Sequence, residues 1–256
     1  MRRSRAVICA VAASVALSGC GTAAGAGSGN AGPRAAAHAA LPRSAATAPA
    51  RAAPPVPTPQ GHRGSRGAAR QMVTVIAPSY GSTYARLTAY RRVHGRWLKA
   101  LGPWTARIGR RGMAPPGRKR EGDLRTPSGD FAFGFFFGAL PDPGVAFRYR
   151  QARPYDAWDD DPSSPLYNEW VDERYHNPGA APEPMDVSGY DYGAVIAYNT
   201  ARTPGLGSAI FLHVNIGTAT SGCVTLPMGE LLRVLRWLRP AQSPRIVMGV
   251  AGVPRE

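Results

Sequence analysis

The residues of this sequence best placed to do chemistry are His213 and Cys223. His213 ends the apolar run Ala209-Ile-Phe-Leu-His213, and Cys223 follows ten residues later within Thr220-Ser-Gly-Cys-Val-Thr-Leu226. A thiolate is the attacking species, and an imidazole beside it lowers the thiol pKa and takes the proton. Gly222 leaves the backbone bare next to the sulfur, so the amides around Cys223 are expected to face a developing oxyanion. Cys223 also lies just before a helix expected to begin near Pro227, whose positive end favours a thiolate. The competing readings are a satisfied core histidine and an inert, buried cysteine acting as a small hydrophobe. A metal site needs three or four ligands. His94 and His176 offer no CxxC or HxxxH spacing, so no metal and no cofactor is expected.

Cysteine usage sharpens the choice. The chain has three cysteines, Cys9, Cys20 and Cys223. Met1 to Arg5 is a basic n-region, and Ala6 to Leu17 is an apolar stretch too short to span a membrane, which takes about 20 residues. It ends at Leu17-Ser18-Gly19-Cys20, which resembles a bacterial lipobox: residues 1–19 are expected to be a lipoprotein signal peptide and Cys20 the lipidated mature N-terminus. Cys9 then leaves with the signal, and Cys223 is the lone thiol of an exported domain. Such a thiol in an oxidising compartment is a candidate reactive group.

Several elements must position this pair. Residues 20–70 are Ala-, Pro- and Arg-rich and lack aromatics, which predicts a disordered tether. The folded domain is expected over 71–256. Met72–Ile76, Tyr84–Tyr90 and Arg96–Lys99 read as strands, as do Ala194–Tyr198, Ser208–Asn215 and Ile246–Val250. Phe131–Phe137 reads as a strand or a core-facing turn. Residues 140–190, rich in Pro, Asp, Tyr and Trp, read as a long ordered loop. After Pro227, residues Leu231, Val234, Leu235 and Leu238 form one apolar helical face, with Glu230 near the positive end and Pro240 as a stop. A strand from Ala209, a turn holding Gly217 and a return to Cys223 would bring thiol and imidazole together. This is a mainly β domain with one amphipathic helix.

The net charge is +15, yet all 16 acidic residues lie at or beyond Glu121. Residues 71–120 hold 11 Lys and Arg and no acid. No helix-turn-helix, zinc finger or RNP motif accompanies the charge, which argues against nucleic acid. A polyanionic surface such as anionic lipid headgroups or wall polymers fits it better.

Ile210-Phe-Leu-His213 followed by Thr218-Ala-Thr-Ser-Gly-Cys-Val-Thr-Leu-Pro227 resembles the signature of the L,D-transpeptidase (YkuD-type) family, most closely its ErfK/YbiS-like branch. Lys119-Arg-Glu-Gly-Asp123, Arg125-Thr-Pro-Ser-Gly-Asp-Phe131, Trp158-Asp-Asp-Asp-Pro162 with Tyr167-Asn168, and Gly205-Leu-Gly-Ser-Ala-Ile-Phe-Leu212 resemble it too. The resemblance runs from about Val73 to Val250. It implies a β-sandwich of mixed sheets and chemistry on peptidoglycan stem peptides, and the lipid expected on Cys20 would hold that chemistry at the outer face of the cell membrane. Carried over by position, Cys223 is the acylated nucleophile and His213 the general base, with the Gly222 and Cys223 amides at the oxyanion. Two departures stand out. Ser221 replaces a second His or Ala, and Thr225 stands where the wider family commonly has an Arg that would clamp a carboxylate.

The remaining candidates have two readings each. Trp158, Tyr167 and Asn168 line a substrate cleft or merely pack it, and Asn215 positions substrate or holds a turn. Glu121 and Asp123, and the run Asp159 to Asp161, hold an amine or form solvated acidic turns. The expected activity is L,D-transpeptidation through a Cys thioester. Its rivals are a wall-peptide hydrolase using the same pair and a non-catalytic wall-binding lipoprotein.

Overall fold

Period-two alternation of apolar and polar residues governs the chain from Gln71 onward, and it builds a fold of strands with one α-helix among the described residues. The computed structural model describes residues 69–176 and 182–252. The expected signal peptide, lipidation at Cys20 and almost all of the tether lie outside them. In chain order the strands are β1 (Gln71–Ala77), β2 (Tyr84–Val93), β3 (Arg96–Arg107), β4 (Met113–Ala114), β5 (Thr126–Pro127), β6 (Gly129–Gly138) and β7 (Tyr149–Gln151). They continue as β8 (Asp156–Asp159), β9 (Glu169–Asp172), β10 (Glu183–Pro184), β11 (Gly193–Ile196), β12 (Phe211–Val214) and β13 (Val224–Leu226). Helix α1 (Met228–Trp237) and strand β14 (Arg245–Val250) complete the described chain.

The main sheet runs β11-β12-β13-β3-β2-β1-β14-β6-β7, and β11 also pairs with β6. The mixed sheets of the expected sandwich are therefore joined at both edges into a ring of eight strands, with β7 as a branch. Phe131–Phe137 resolves as the heart of β6, between β14 and β11. Residues 140–190 are not simply a loop. They hold β7 and the three-stranded sheet β10-β8-β9. Asp156-Ala-Trp-Asp and Glu169-Trp-Val-Asp pair antiparallel there, in strands too short for periodicity to reveal.

One apolar cluster draws on all eight ring strands and on α1. Leu231, Val234, Leu235 and Leu238 are the predicted helical face, and each is fully buried. The α1 helix packs on β3, β12 and β13. A side chain of this kind contributes about 1.5–3 kcal/mol when buried. The helix stops where the Leu238 N–H bonds Val234 O.

A second cluster lies on the opposite face of the same strands. It holds Phe137, Val195, Phe211 and Cys223, roofed by Trp158, Met185 and Tyr190. Alternation decides the assignment residue by residue. Phe136, Leu212 and Val224 belong to the first cluster, and their neighbours Phe137, Phe211 and Cys223 to the second. The roof is aromatic: Phe211 meets Trp158, Phe137 and Tyr190 edge-on at 4.9, 5.1 and 5.7 Å between ring centroids.

Candidate active site

β12 and β13 run parallel, with Leu212 opposite Val224 and His213 opposite Thr225. The register puts Phe211 and His213 on the same sheet face as Cys223 and Thr225. The return to Cys223 is therefore a parallel crossover and not a hairpin. Residues 215–222 travel back along the sheet before β13 begins. Thr220 anchors that path, donating to Ile108 O at 3.0 Å and accepting from the Arg110 N–H at 2.7 Å.

The Cys223 side chain is tightly specified. Its thiol donates to Ala209 O at 3.1 Å, and its sulfur accepts the Phe211 N–H at 3.3 Å. Cys223 and Tyr190 belong to the same buried cluster. Only 6% of the residue is exposed. Burial pushes the thiol well above its ordinary pKa, and the negative field of Glu183 adds to this. Lys119, whose buried ammonium bonds Asp123 Oδ1 at 2.7 Å, opposes the shift.

His213, 8% exposed, is pushed down to about 4 by desolvation, so its imidazole is neutral at pH 7. Its Nδ1 lies 3.0 Å from Gly189 O. A carbonyl only accepts, so Nδ1 carries the proton and Nε2 is the basic nitrogen. The Tyr190 ring meets the imidazole edge-on at 4.8 Å. The resting pair is a neutral thiol and a neutral imidazole on one face, with the thiol turned to Ala209 O and not to His213.

Two expectations about the surroundings are corrected. The thiol does not sit at the start of the helix. All of β13 and Pro227 separate it from α1, and an extended residue adds about 3.3 Å, while the helix-end field fades within a turn. Nor is the Gly222 amide free for an oxyanion, since it donates to Thr220 Oγ1 at 3.1 Å. Gly222 is needed for another reason. Its φ of 155° disfavours any side chain, and an added Cβ would lie 3.1 Å from both Arg125 O and Ile210 Cδ1.

The other predicted site residues serve the scaffold. Ser221 is exposed and accepts from Arg110 Nη2 at 3.2 Å. Asn215 caps its own turn through the Gly217 N–H at 2.7 Å. Tyr167 is 1% exposed, donates to Glu121 and accepts the Gly207 N–H. Asn168 accepts from Trp158 Nε1 at 3.0 Å and from the Ala209 N–H at 3.1 Å, and donates to the carbonyls of Tyr198 and Asn199. Asn168 and Trp158 therefore fix Ala209, whose carbonyl holds the thiol. They brace the site. Thr225 stands beside His213, and its buried Oγ1 has no hydrogen-bond partner.

Sequence reasoning missed Gly189, Tyr190 and Glu183. Tyr190 donates to Glu183, whose carboxyl desolvation lifts to about 7. These three residues lie in the Pro-rich stretch, where no periodicity marked them. Among the described residues no group of His, Cys, Asp and Glu is arranged to hold a metal ion.

Comparison with known proteins comes to three findings. Residues 83–247 match the family YkuD, described as the L,D-transpeptidase catalytic domain. No curated protein matches the chain. Among solved structures, the helical cell shape determining protein Pgp2 from Campylobacter jejuni is similar at 16% identity and a TM-score of 0.39. The likeness covers 73% of this chain and 50% of that one, so this chain spans about half the length of that protein.

Proposed function

The chain belongs to the L,D-transpeptidase catalytic domain family, and on that premise we propose that it is a cysteine acyltransferase acting on peptidoglycan stem peptides. The observation that carries this reading is the shared face of His213 and Cys223, with His213 Nδ1 held on Gly189 O and Nε2 left basic.

In the proposed reaction the thiol turns from Ala209 O and gives its proton to His213 Nε2. Sulfur attacks the peptide carbonyl of a stem tetrapeptide. The tetrahedral intermediate collapses to a thioester as the C–N bond breaks, and the imidazolium returns the proton to the departing D-alanine amine. An acceptor amine from a second stem, or a free D-amino acid, then attacks the thioester carbonyl and gives a proton to His213 Nε2; the C–S bond breaks as the new amide forms, and the proton returns to the sulfur. Proton transfer at the moment of attack suits a pair that rests neutral, because no buried ion pair has to be maintained beforehand. Lipidation at Cys20, which would hold the domain at the outer face of the membrane, belongs to the same proposal and rests on the sequence.

Incubation of the protein with a disaccharide-tetrapeptide and an excess of a D-amino acid, read by mass spectrometry, tests the proposal. Exchange of the terminal D-alanine, lost in Cys223→Ala, supports acyl transfer. Tripeptide without exchanged product would make the protein a wall-peptide hydrolase. Neither product from folded protein would contradict the enzymatic reading.

A further inference from the structure

His213 begins a row of side chains that the reaction as written does not use. Strand register sets the row. His213 of β12 stands opposite Thr225 of β13, Thr225 opposite Arg107 of β3, and Arg107 opposite Tyr84 of β2. Residues paired in register share a sheet face, so all four lie on the face that carries the thiol. Their chain neighbours Leu212, Val224, Ala106 and Ala85 all belong to the first apolar cluster on the other face, which fixes the assignment.

The middle of this row holds two unsatisfied polar atoms. Thr225 Oγ1 and Arg107 Nε are buried, and neither has a hydrogen-bond partner among the described residues. Among those residues they are the two buried side-chain nitrogen or oxygen atoms in that state, and they fall on directly paired positions. An unpaired buried donor is costly, and native folds rarely keep one without a use. The Arg107 guanidinium is half-buried and stacks on the Tyr84 ring, 4.2 Å from its centroid, which fixes its plane and leaves its N–H edge to bond elsewhere. No carboxylate among the described residues pairs with it. Residues 71–120 contain no acid at all, so the strands around Arg107 supply none. A guanidinium only donates, and a threonine hydroxyl can donate beside it. The ligand that satisfies both is an anionic acceptor, and a carboxylate matches the planar N–H edge.

We propose that Arg107 and Thr225 form a carboxylate subsite, which takes the C-terminal carboxylate of the stem tetrapeptide as it sits on the departing D-alanine. This deepens the acyltransferase reading and rests on it. Neighbouring strands lie about 4.8 Å apart. In the departing residue the amine nitrogen and the carboxylate carbon are about 2.5 Å apart, across a single Cα. With that nitrogen at His213 Nε2, the carboxylate falls over β13, between the imidazole and the guanidinium. The scissile carbonyl then faces Cys223, two residues before Thr225 on the same face of β13. No covalent bond changes at the subsite, and the carboxylate leaves with the D-alanine. A free D-amino acid carries its carboxylate on the carbon next to its amine, so the same subsite orients an incoming acceptor of that kind.

The test is binding of disaccharide-tetrapeptide, as free acid and as C-terminal amide, to full-length Cys223→Ala protein by titration calorimetry. The substitution stops turnover and leaves the row intact. The free acid should bind about tenfold or more tightly than the amide, the low end of a charge-assisted hydrogen bond. Adding Arg107→Met, which keeps the apolar stem and removes the donors, should bring the two ligands within about twofold. Adding Thr225→Val, of the same shape without the hydroxyl, should narrow the preference by a smaller factor. Equal binding of acid and amide before these additions would overturn the subsite. So would an undiminished preference in Arg107→Met protein that is folded by circular dichroism. Should Arg107→Met fail to fold, Arg107→Gln takes its place with the same expectation. Binding of neither ligand would overturn the subsite and the stem-peptide reading together. D-amino-acid exchange by protein that retains Cys223 separates the two ideas. Exchange with a preference that ignores Arg107 rejects the subsite alone. A preference that depends on Arg107, without exchange, keeps the subsite and rejects acyl transfer.

Discussion

The two faces of the ring of strands share a backbone and differ in almost everything else. The inner face is mostly aliphatic at its buried centre, with Phe133 and Phe136 among the aliphatic side chains, is closed by α1, and contains neither the thiol nor the imidazole. The outer face carries aromatic rings, a thiol and an imidazole, and is roofed by short strands and turns tied by side-chain hydrogen bonds. Neighbouring residues serve opposite ends: Leu212 packs the core while His213 faces the roof. The difference teaches a division of labour. Burial on one face supplies stability, and the other can then bury polar groups at some cost in order to fix their geometry.

Substitutions on each face separate these roles. The largest loss of stability is expected on the inner face. Leu235→Ala should lower the unfolding free energy by about 2–5 kcal/mol, read by denaturant titration, while the acylation rate per folded molecule stays at the parental value. A comparable effect follows from pH on the outer face. His213 has a folded pKa near 4 against an ordinary 6.5, so its contribution is fully present above about 6.5 and is lost as pH falls through 4. That contribution is on the order of 3 kcal/mol. Thermal melts of the parent and of His213→Gln across this window should diverge toward acid, with the variant showing the flatter slope. Asn168→Ala comes next. It leaves the Trp158 Nε1–H and the Ala209 N–H without their acceptor, at about 1–3 kcal/mol. Unlike the inner substitution, it should also slow Cys223 acylation, because Ala209 O positions the thiol. Ser221→Ala is expected to do least, with stability changed by under about 0.5 kcal/mol and acylation within about twofold of the parent.

The two faces also differed in how far they could be read in the sequence. The inner face was legible because a helical period of Leu231, Val234, Leu235 and Leu238, and alternation along the strands, are local signals. His213 and Cys223 were legible as chemistry through residue type and spacing. Their surroundings were not. The roof consists of strands of two to four residues, below the length at which alternation is informative. Tyr190 shares a buried cluster with Cys223 across 33 residues of chain, which no local pattern records. Trp158, Tyr167 and Asn168 were found by resemblance, but a resemblance cannot tell a residue that lines a site from one that braces it. That distinction lies in their hydrogen bonds.

The central claim is that the Cys223 thiol is an activated acyl acceptor despite resting buried and protonated. Intact mass of the protein after incubation with a carbapenem, beside Cys223→Ala, tests it most directly. The account predicts one covalent adduct on the parent and none on the variant. Folded parent protein that stays at its unmodified mass, or an adduct that persists in Cys223→Ala, would contradict it.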